Sequence, residues 1–178
     1  MALKATIIKA GLQIADMNRQ YYQDHQLTLA QHPSETEERV MIRLLAFALH
    51  ADDDLAFTKG ISTEDEPDLW QKDLTGHIQL WIDLGQIEEK RIKKACGKSD
   101  KAVIYTYQPR NSGPWWQQIK DKLNRFDNLE VYAIETTTPA AFDSLFHRTM
   151  QLQCNIQDNT IYLSSDDNSL ELNLIKLK

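Results

Sequence analysis

Four ionisable residues carry the chemistry this sequence is equipped for: Asp68, Asp83, Glu38 and Lys94. Asp68 follows Pro67 at the head of one extended segment, and Asp83 stands fifteen residues later near the end of the next. A polar excursion through residues 73–76 turns the chain back between them, so the two carboxylates are expected side by side at strand ends. Such a pair suits Mg²⁺, with water completing its octahedron of oxygens. An ion held there lowers the pKa of a bound water and stabilises charge on a phosphoryl oxygen. Glu38 shares a helix face with Ile42, Leu45 and Leu49. That places it either as a third ligand or as an exposed acid at the favourable end of the helix dipole. Lys94 is expected to point toward the end of the Asp83 strand and to orient an attacking water or a scissile phosphate. The alternative is a wholly solvated basic helix in which Glu89 and Lys93 form a surface i,i+4 pair. Trp115 and Trp116 would stack on a base, or Trp115 would join Ile119 and Leu123 in the core.

Charge sharpens the location. The 178-residue chain has a formal net charge of −6. The 22 residues from Asp52 to Asp73 hold eight acids and two lysines, which accounts for all of it. Residues 88–101 come next with six bases against three acids. An acidic stretch beside a basic one reads either as a solvated surface or as a cation site next to a face that meets phosphate.

Other chemistries fail on spacing. Gly97-Lys98-Ser99 ends like a phosphate-binding loop, but the first glycine of that motif would fall at Ile92, and a helix precedes it where one should come after. There is no G-x-S-x-G elbow, and neither acidic cluster has the glycine at position six of an EF-hand loop. His25, His32, His50, His77 and His147 have no i,i+4 partner, which leaves zinc unsupported. Two cysteines, Cys96 and Cys154, are too few for a disulfide framework, so a reducing cytoplasm is expected. The N-terminus lacks a signal-peptide core, and the longest apolar run, Leu44 to Leu49, is far short of a membrane span.

The elements that must position these residues are set by hydrophobic period. Leu3, Ala5 and Ile7 alternate, the phase slips at Ile8, and alternation continues through Leu12 and Ile14, which predicts a strand with a bulge or one buried on both faces. Residues 22–30 are its expected partner. Ser34 with Glu37 has capping-box spacing and opens a helix through residue 50 with Val40, Met41, Leu44, Leu45 and Ala48 as its buried stripe. Short strands are expected near residues 55–58 and 67–70, then a strand over 77–84 with Ile78, Leu80 and Ile82 on one face and Gln79, Trp81 and Asp83 on the other. A helix over 88–96 ends at Gly97, and residues 103–107 form a central parallel strand. Beyond it are expected a helix over 115–126, a strand over 129–134 and a helix capped by Thr138-Pro139. Met150, Leu152, Cys154 and Ile156 open an antiparallel meander that neighbours the first strands. The expected fold class is α/β (α+β): one domain spanning residues 1–178, a mixed sheet flanked by helices.

The strings ALKATIIKA, HPSETEERVMIRLLAFAL, DEPDLW, LWIDLG, EEKRIKKACG, WW and MQLQCNIQDNTIYLS resemble the YaeQ family of bacterial proteins over nearly the whole chain. That family resembles the PD-(D/E)xK nucleases, whose restriction-endonuclease-like core runs αβββαβ. The resemblance implies Asp68 as the Pro-Asp carboxylate, Asp83 as the second carboxylate and Glu38 as the helix glutamate. Mg²⁺ is the cofactor expected from the acid placement together with that fold. The superfamily lysine belongs two places after the second acid, where this chain has Gly85; Lys94, with Lys93 behind it, is the migrated replacement. The function expected is a Mg²⁺-dependent, phosphodiesterase-like action on nucleic acid. The alternative is a non-catalytic regulator that uses the same fold to bind nucleic acid or a protein partner. No membrane partner is expected.

Overall fold

A computed structural model of the chain describes residues 4–59, 65–136 and 142–178. In chain order the elements are β1 (Thr6–Asp16), β2 (Tyr21–Gln31), α1 (Glu37–His50), β3 (Leu55–Phe57), β4 (Leu69–Lys72), β5 (Ile78–Leu84), α2 (Glu89–Lys98), β6 (Ser99–Thr106), α3 (Pro109–Leu123), β7 (Leu129–Thr136), β8 (Thr149–Gln157), β9 (Thr160–Ser164) and β10 (Ser169–Lys176). The class is mixed α/β, and no helix among the described residues is long and apolar enough to cross a membrane. The described residues form two compact units, one within Met1–Ala51 and Thr136–Leu174, the other within Asp52–Glu135 and Ile175–Lys178.

In the first unit the strands run in the order β2-β1-β8-β9-β10, with β1 and β8 parallel and the other neighbours antiparallel. Met150, Leu152, Cys154 and Ile156 of β8 are all buried while their neighbours are exposed, the alternation expected of a sheet with one wet face. β1 differs from expectation. Its pairing with β2 is unbroken over all eleven residues, so there is no bulge. Ile8, Ala10, Leu12 and Ile14 share the core face, and Ile7 is left 55% exposed on the other. The apparent slip arose because Ile7, just before Ile8, is apolar yet lies on the exposed face.

α1 packs on β1 and β8. Its N-cap is Thr36, which accepts from the Arg39 N–H; Ser34 instead bonds His32 in the preceding turn. Every residue from Val40 to Ala48 is buried, so the expected stripe is only part of a helix covered all round. Arg43 lies in that apolar stretch at 1% exposure. It is tolerated because its guanidinium donates to Glu35 Oε1 at 2.7 Å and to the Ala30 carbonyl at 2.8 Å, while Arg39 takes Glu35 Oε2 at 2.8 Å. The helix expected after Thr138-Pro139 has its cap outside the described residues; within its expected span the chain forms a 3-10 turn, Phe142–Ser144.

The second unit has the order β7-β6-β5-β4-β3. β5, β6 and β7 are parallel, and β4 and β3 continue antiparallel. β6 lies between two partners, and Ala102 to Thr106 are all buried, as a central strand requires. α2 and α3 pack over one face, where Ile92, Ile119 and Leu123 meet Trp81, Ile104 and Val131. Trp81 is therefore a core residue, and the face of β5 expected to be polar is the one the helices cover. α2 continues through Gly97 to Lys98, and its C-cap Ser99 opens β6 at once. α3 begins six residues before the expected position, and Trp115 packs against the core with its indole N–H on the Ile87 carbonyl at 3.0 Å.

Removing Glu35 would leave Arg43 buried without its carboxylate. Glu35→Ala is expected to cost about 3–5 kcal/mol in urea unfolding, whereas the double change Glu35→Leu with Arg43→Met recovers most of that loss.

A buried aspartate pair beside a basic cleft

The site is built at the ends of β4 and β5. Leu69 pairs with Ile82, so the register places Asp68 directly opposite Asp83. Residues so opposed have Cα atoms about 5 Å apart. The Asp68 N–H donates to the Ile82 carbonyl at 3.0 Å, and Asp68 Oδ2 accepts the Leu84 N–H at 3.0 Å. Pro67, with no N–H to offer, is held through its carbonyl by the Thr58 hydroxyl. The turn at residues 73–76 is organised by Asp73, whose Oδ1 accepts from the Thr75 and His77 N–H groups, and Gly76 closes it at φ +87°. Asp68 and Asp83 are 3% and 1% exposed.

Asp83 lies two residues from Trp81 and so points into the same helix-covered face. Trp81 Nε1 donates to Asp83 Oδ2 at 2.9 Å. Arg91, from the first turn of α2, forks onto the same carboxylate: Nε to Oδ2 at 3.0 Å and one terminal nitrogen to Oδ1 at 2.9 Å. The same nitrogen also donates to the Glu66 carbonyl at 2.9 Å. A single guanidinium thus spans the strand that carries Asp83 and the segment leading into Asp68.

Position 85, two places after Asp83, is held in a conformation that favours glycine. Its φ is +104°, a region that a residue with a side chain enters only with strain, and its N–H donates to the Tyr105 carbonyl at 2.8 Å. The chain must turn there to feed α2, so position 85 has left the strand. Lys94 lies one turn beyond Arg91 and forms an ion pair with Asp65, and the ammonium holds the Asp65 carboxyl below its ordinary value by hydrogen bond and charge. Lys93 is exposed, and Glu89 pairs with Arg125 at 3.1 Å and Lys122 at 3.8 Å. Glu38 is half-buried on α1 in the first unit, whereas Asp68, Asp83 and Lys94 belong to the second.

Between the start of α2 and the preceding loop lies an open cavity of about 370 Å³, lined by Gln86, Ile87, Glu88, Lys90, Arg91 and Lys94. Among the described residues its lining carries three cations and one carboxylate, with Arg91 paired to Asp83 and Lys94 to Asp65. Spacing of acids and lysines alone passed over Arg91. The available signal was Trp81 at i−2 to Asp83: an indole on that face marks it as buried, and a buried carboxylate needs a cation from whatever covers it.

These contacts test the pair as a divalent-ion site. Both oxygens of Asp83 already accept from a guanidinium, so the residues as arranged do not fit a resident Mg²⁺. Among the described residues, no group of three or more His, Cys, Asp or Glu is placed to hold a metal ion. Asp83→Ala is expected to cost about 3 kcal/mol, the low end for a broken buried pair because Arg91 retains some access to water. Gly85→Lys is expected to lower stability by about 1–2 kcal/mol through its positive φ. Urea midpoints measure both.

The comparisons with known proteins concern the whole chain. Residues 1–174 match the model of the family described as YaeQ protein. The Uncharacterized protein YaeQ of Escherichia coli (strain K12) is 47% identical over 174 residues, covering 98% of this chain and 96% of that one. The protein of the same description from Salmonella typhi is also 47% identical over the same shares. The crystal structure of YaeQ protein from Xanthomonas axonopodis pv. citri superposes with a TM-score of 0.93 at 46% identity, covering 98% of both chains. That of YaeQ protein from Pseudomonas syringae does so at 0.90 with 28% identity, over 98% of this chain and 96% of that one. Sequence and fold agree along the full chain, and this protein belongs to the YaeQ family.

Proposed function

We propose that this protein binds the phosphodiester backbone of nucleic acid in the cleft at the start of α2, without a resident metal. The observation that carries the reading is the cavity lined by Lys90 and Lys94 from α2, beside the Arg91 that Asp83 holds. Anionic oxygens gain charge-assisted hydrogen bonds from such groups. Lys94 reaches the cleft bound to Asp65, an acid 83% exposed. An ion pair so exposed is worth little, so a phosphate competes for the ammonium at small cost. A second cavity of about 240 Å³ shares Gln86, Ile87 and Glu88 with the first and adds Trp115 and the paired Glu89 and Lys122. The order α1-β3-β4-β5-α2-β6 along the chain supports a core of the αβββαβ kind found in PD-(D/E)xK nucleases. Both cysteines are free thiols, which supports a reducing, cytoplasmic setting.

A second reading, metal-dependent cleavage of the bound strand, has the opposition of Asp68 and Asp83 across β4 and β5 in its favour. In it Asp68 and Asp83 are the Mg²⁺ ligands and Lys94 the cation that steadies the phosphate. One experiment separates the two. Fluorescently labelled single- and double-stranded DNA and RNA are titrated with protein at two salt concentrations, in EDTA and in Mg²⁺ or Mn²⁺. Binding is expected in EDTA, weaker at high salt, with the slope of log K against log[salt] falling by about 0.7–0.9 for each phosphate-contacting cation removed in Lys90→Glu and Lys94→Glu. Absence of binding at low salt, or unchanged binding by the double variant, rejects the cleft. Cleavage in Mg²⁺ or Mn²⁺ that EDTA and Asp83→Asn both abolish moves the conclusion to the second reading.

A further inference from the structure

We propose that Arg91 is itself the cation of the Asp68–Asp83 site: its guanidinium permanently fills the place a divalent ion would need, and vacating it creates a metal site that the native protein lacks. This goes beyond the binding of nucleic acid and does not depend on it.

Three features carry the inference. Arg91 meets Asp83 in a two-pronged geometry, 3.0 Å to one oxygen and 2.9 Å to the other, the face a carboxylate offers to a cation. Its third bond, 2.9 Å to the Glu66 carbonyl, pins the group across the segment that leads into Asp68. The guanidinium is therefore fastened to Asp83 and to the backbone of the segment that leads into Asp68, opposite it. Finally, the side chain of Asp83 is 2% exposed, so its charge cannot be left to solvent. A Mg²⁺ or Mn²⁺ entering the native site has to displace all three bonds and leave a positive charge beside itself. Swinging Arg91 out before the ion arrives leaves Asp83 buried and unpaired. Trp81 adds to this, because its indole bond to Oδ2 fixes the carboxylate in the orientation that presents both oxygens to Arg91. The chemistry predicts that a neutral, shorter hydrogen-bonding side chain at position 91 opens the seat while the two acids stay in place.

The test uses the full chain and Mn²⁺ alone. Native protein, Arg91→Gln and Arg91→Gln with Asp83→Asn are titrated with Mn²⁺ by electron paramagnetic resonance and calorimetry, and each is melted in EDTA and in millimolar Mn²⁺. The native protein is expected to show no saturable binding and the same Tm in both. Arg91→Gln is expected to melt lower in EDTA, to bind Mn²⁺ more than about tenfold tighter than native once the opposing charge is gone, and to regain part of its lost Tm with the ion. The double variant is expected to lose that response. If Arg91→Gln is unfolded in EDTA, refolding yields in Mn²⁺ and in EDTA are compared, and equal yields overturn the proposal. Saturable Mn²⁺ binding by the native protein that Asp83→Asn removes overturns it, as does an Arg91→Gln variant that folds and ignores the ion. None of these readouts involves nucleic acid, so failure here leaves the cleft proposal standing; absence of nucleic-acid binding leaves this one standing, whereas metal-dependent cleavage that needs Asp83 overturns it.

Discussion

Asp83 is a carboxylate sealed beneath a helix, and much of the second unit is arranged around that constraint. Ionised acids taken out of water cost several kcal/mol unless they meet a counter-charge with their lone pairs satisfied. Asp83 receives the Arg91 fork and the Trp81 indole together. This sets where α2 starts, because the chain has only the residues from Gly85 to Glu88 in which to leave β5, turn, and bring position 91 back over position 83. Gly85 makes the turn with a backbone conformation suited to glycine. The far end of α2 is tied separately: Asn128 donates to the Cys96 and Ser99 carbonyls at 2.9 and 3.1 Å, so the helix is held at both ends over the strands it covers.

The same device recurs in the first unit. Asp16 is 2% exposed and accepts from Arg19 Nε at 2.7 Å. The other nitrogens of Arg19 reach the Ala51 and Ala48 carbonyls at 3.0 and 3.2 Å, so one guanidinium neutralises an acid at the end of β1 and satisfies the C-terminal carbonyls of α1. Glu35 is likewise shared between Arg39 and Arg43. In each case the cation is arginine and not lysine, because a planar group with five donors can serve a carboxylate and a backbone carbonyl at once. Lysines in this chain sit where one point charge is enough, as in the pairing of Lys94 with Asp65.

How much could be read beforehand depended on the kind of signal each residue sends. The meander from Met150 onward was legible because a sheet with one wet face writes its burial as strict alternation. The opposition of Asp68 and Asp83 was legible because Pro67 and the 73–76 turn leave few ways to place the two strands. Element ends were less so: Ser34 and Thr36 are both capable caps, and only the geometry of the turn through His32 and Glu35 chooses Thr36. β1 misled because Ile7 is apolar yet points to water, and a surface is free to carry an exposed isoleucine. The face of β5 holding Gln79, Trp81 and Asp83 looked polar by count, although its tryptophan marked it as covered.

By itself the sequence determined the mixed α/β class, the parallel strand at the centre of the second unit, the pairing of two acids at adjacent strand ends and the separation of the acidic stretch from the basic helix. These rest on period, turn chemistry and charge order, which are local properties of the chain. Only the tertiary structure decided which cation faces the acids. Lys90, Arg91, Lys93 and Lys94 are equivalent by composition, and the start and rotation of α2 choose among them. That rotation is set by Ile92 and Ala95 packing into the core, a long-range contact that no run of neighbouring residues records. It turns Arg91 inward onto Asp83 and leaves Lys94 to the cleft.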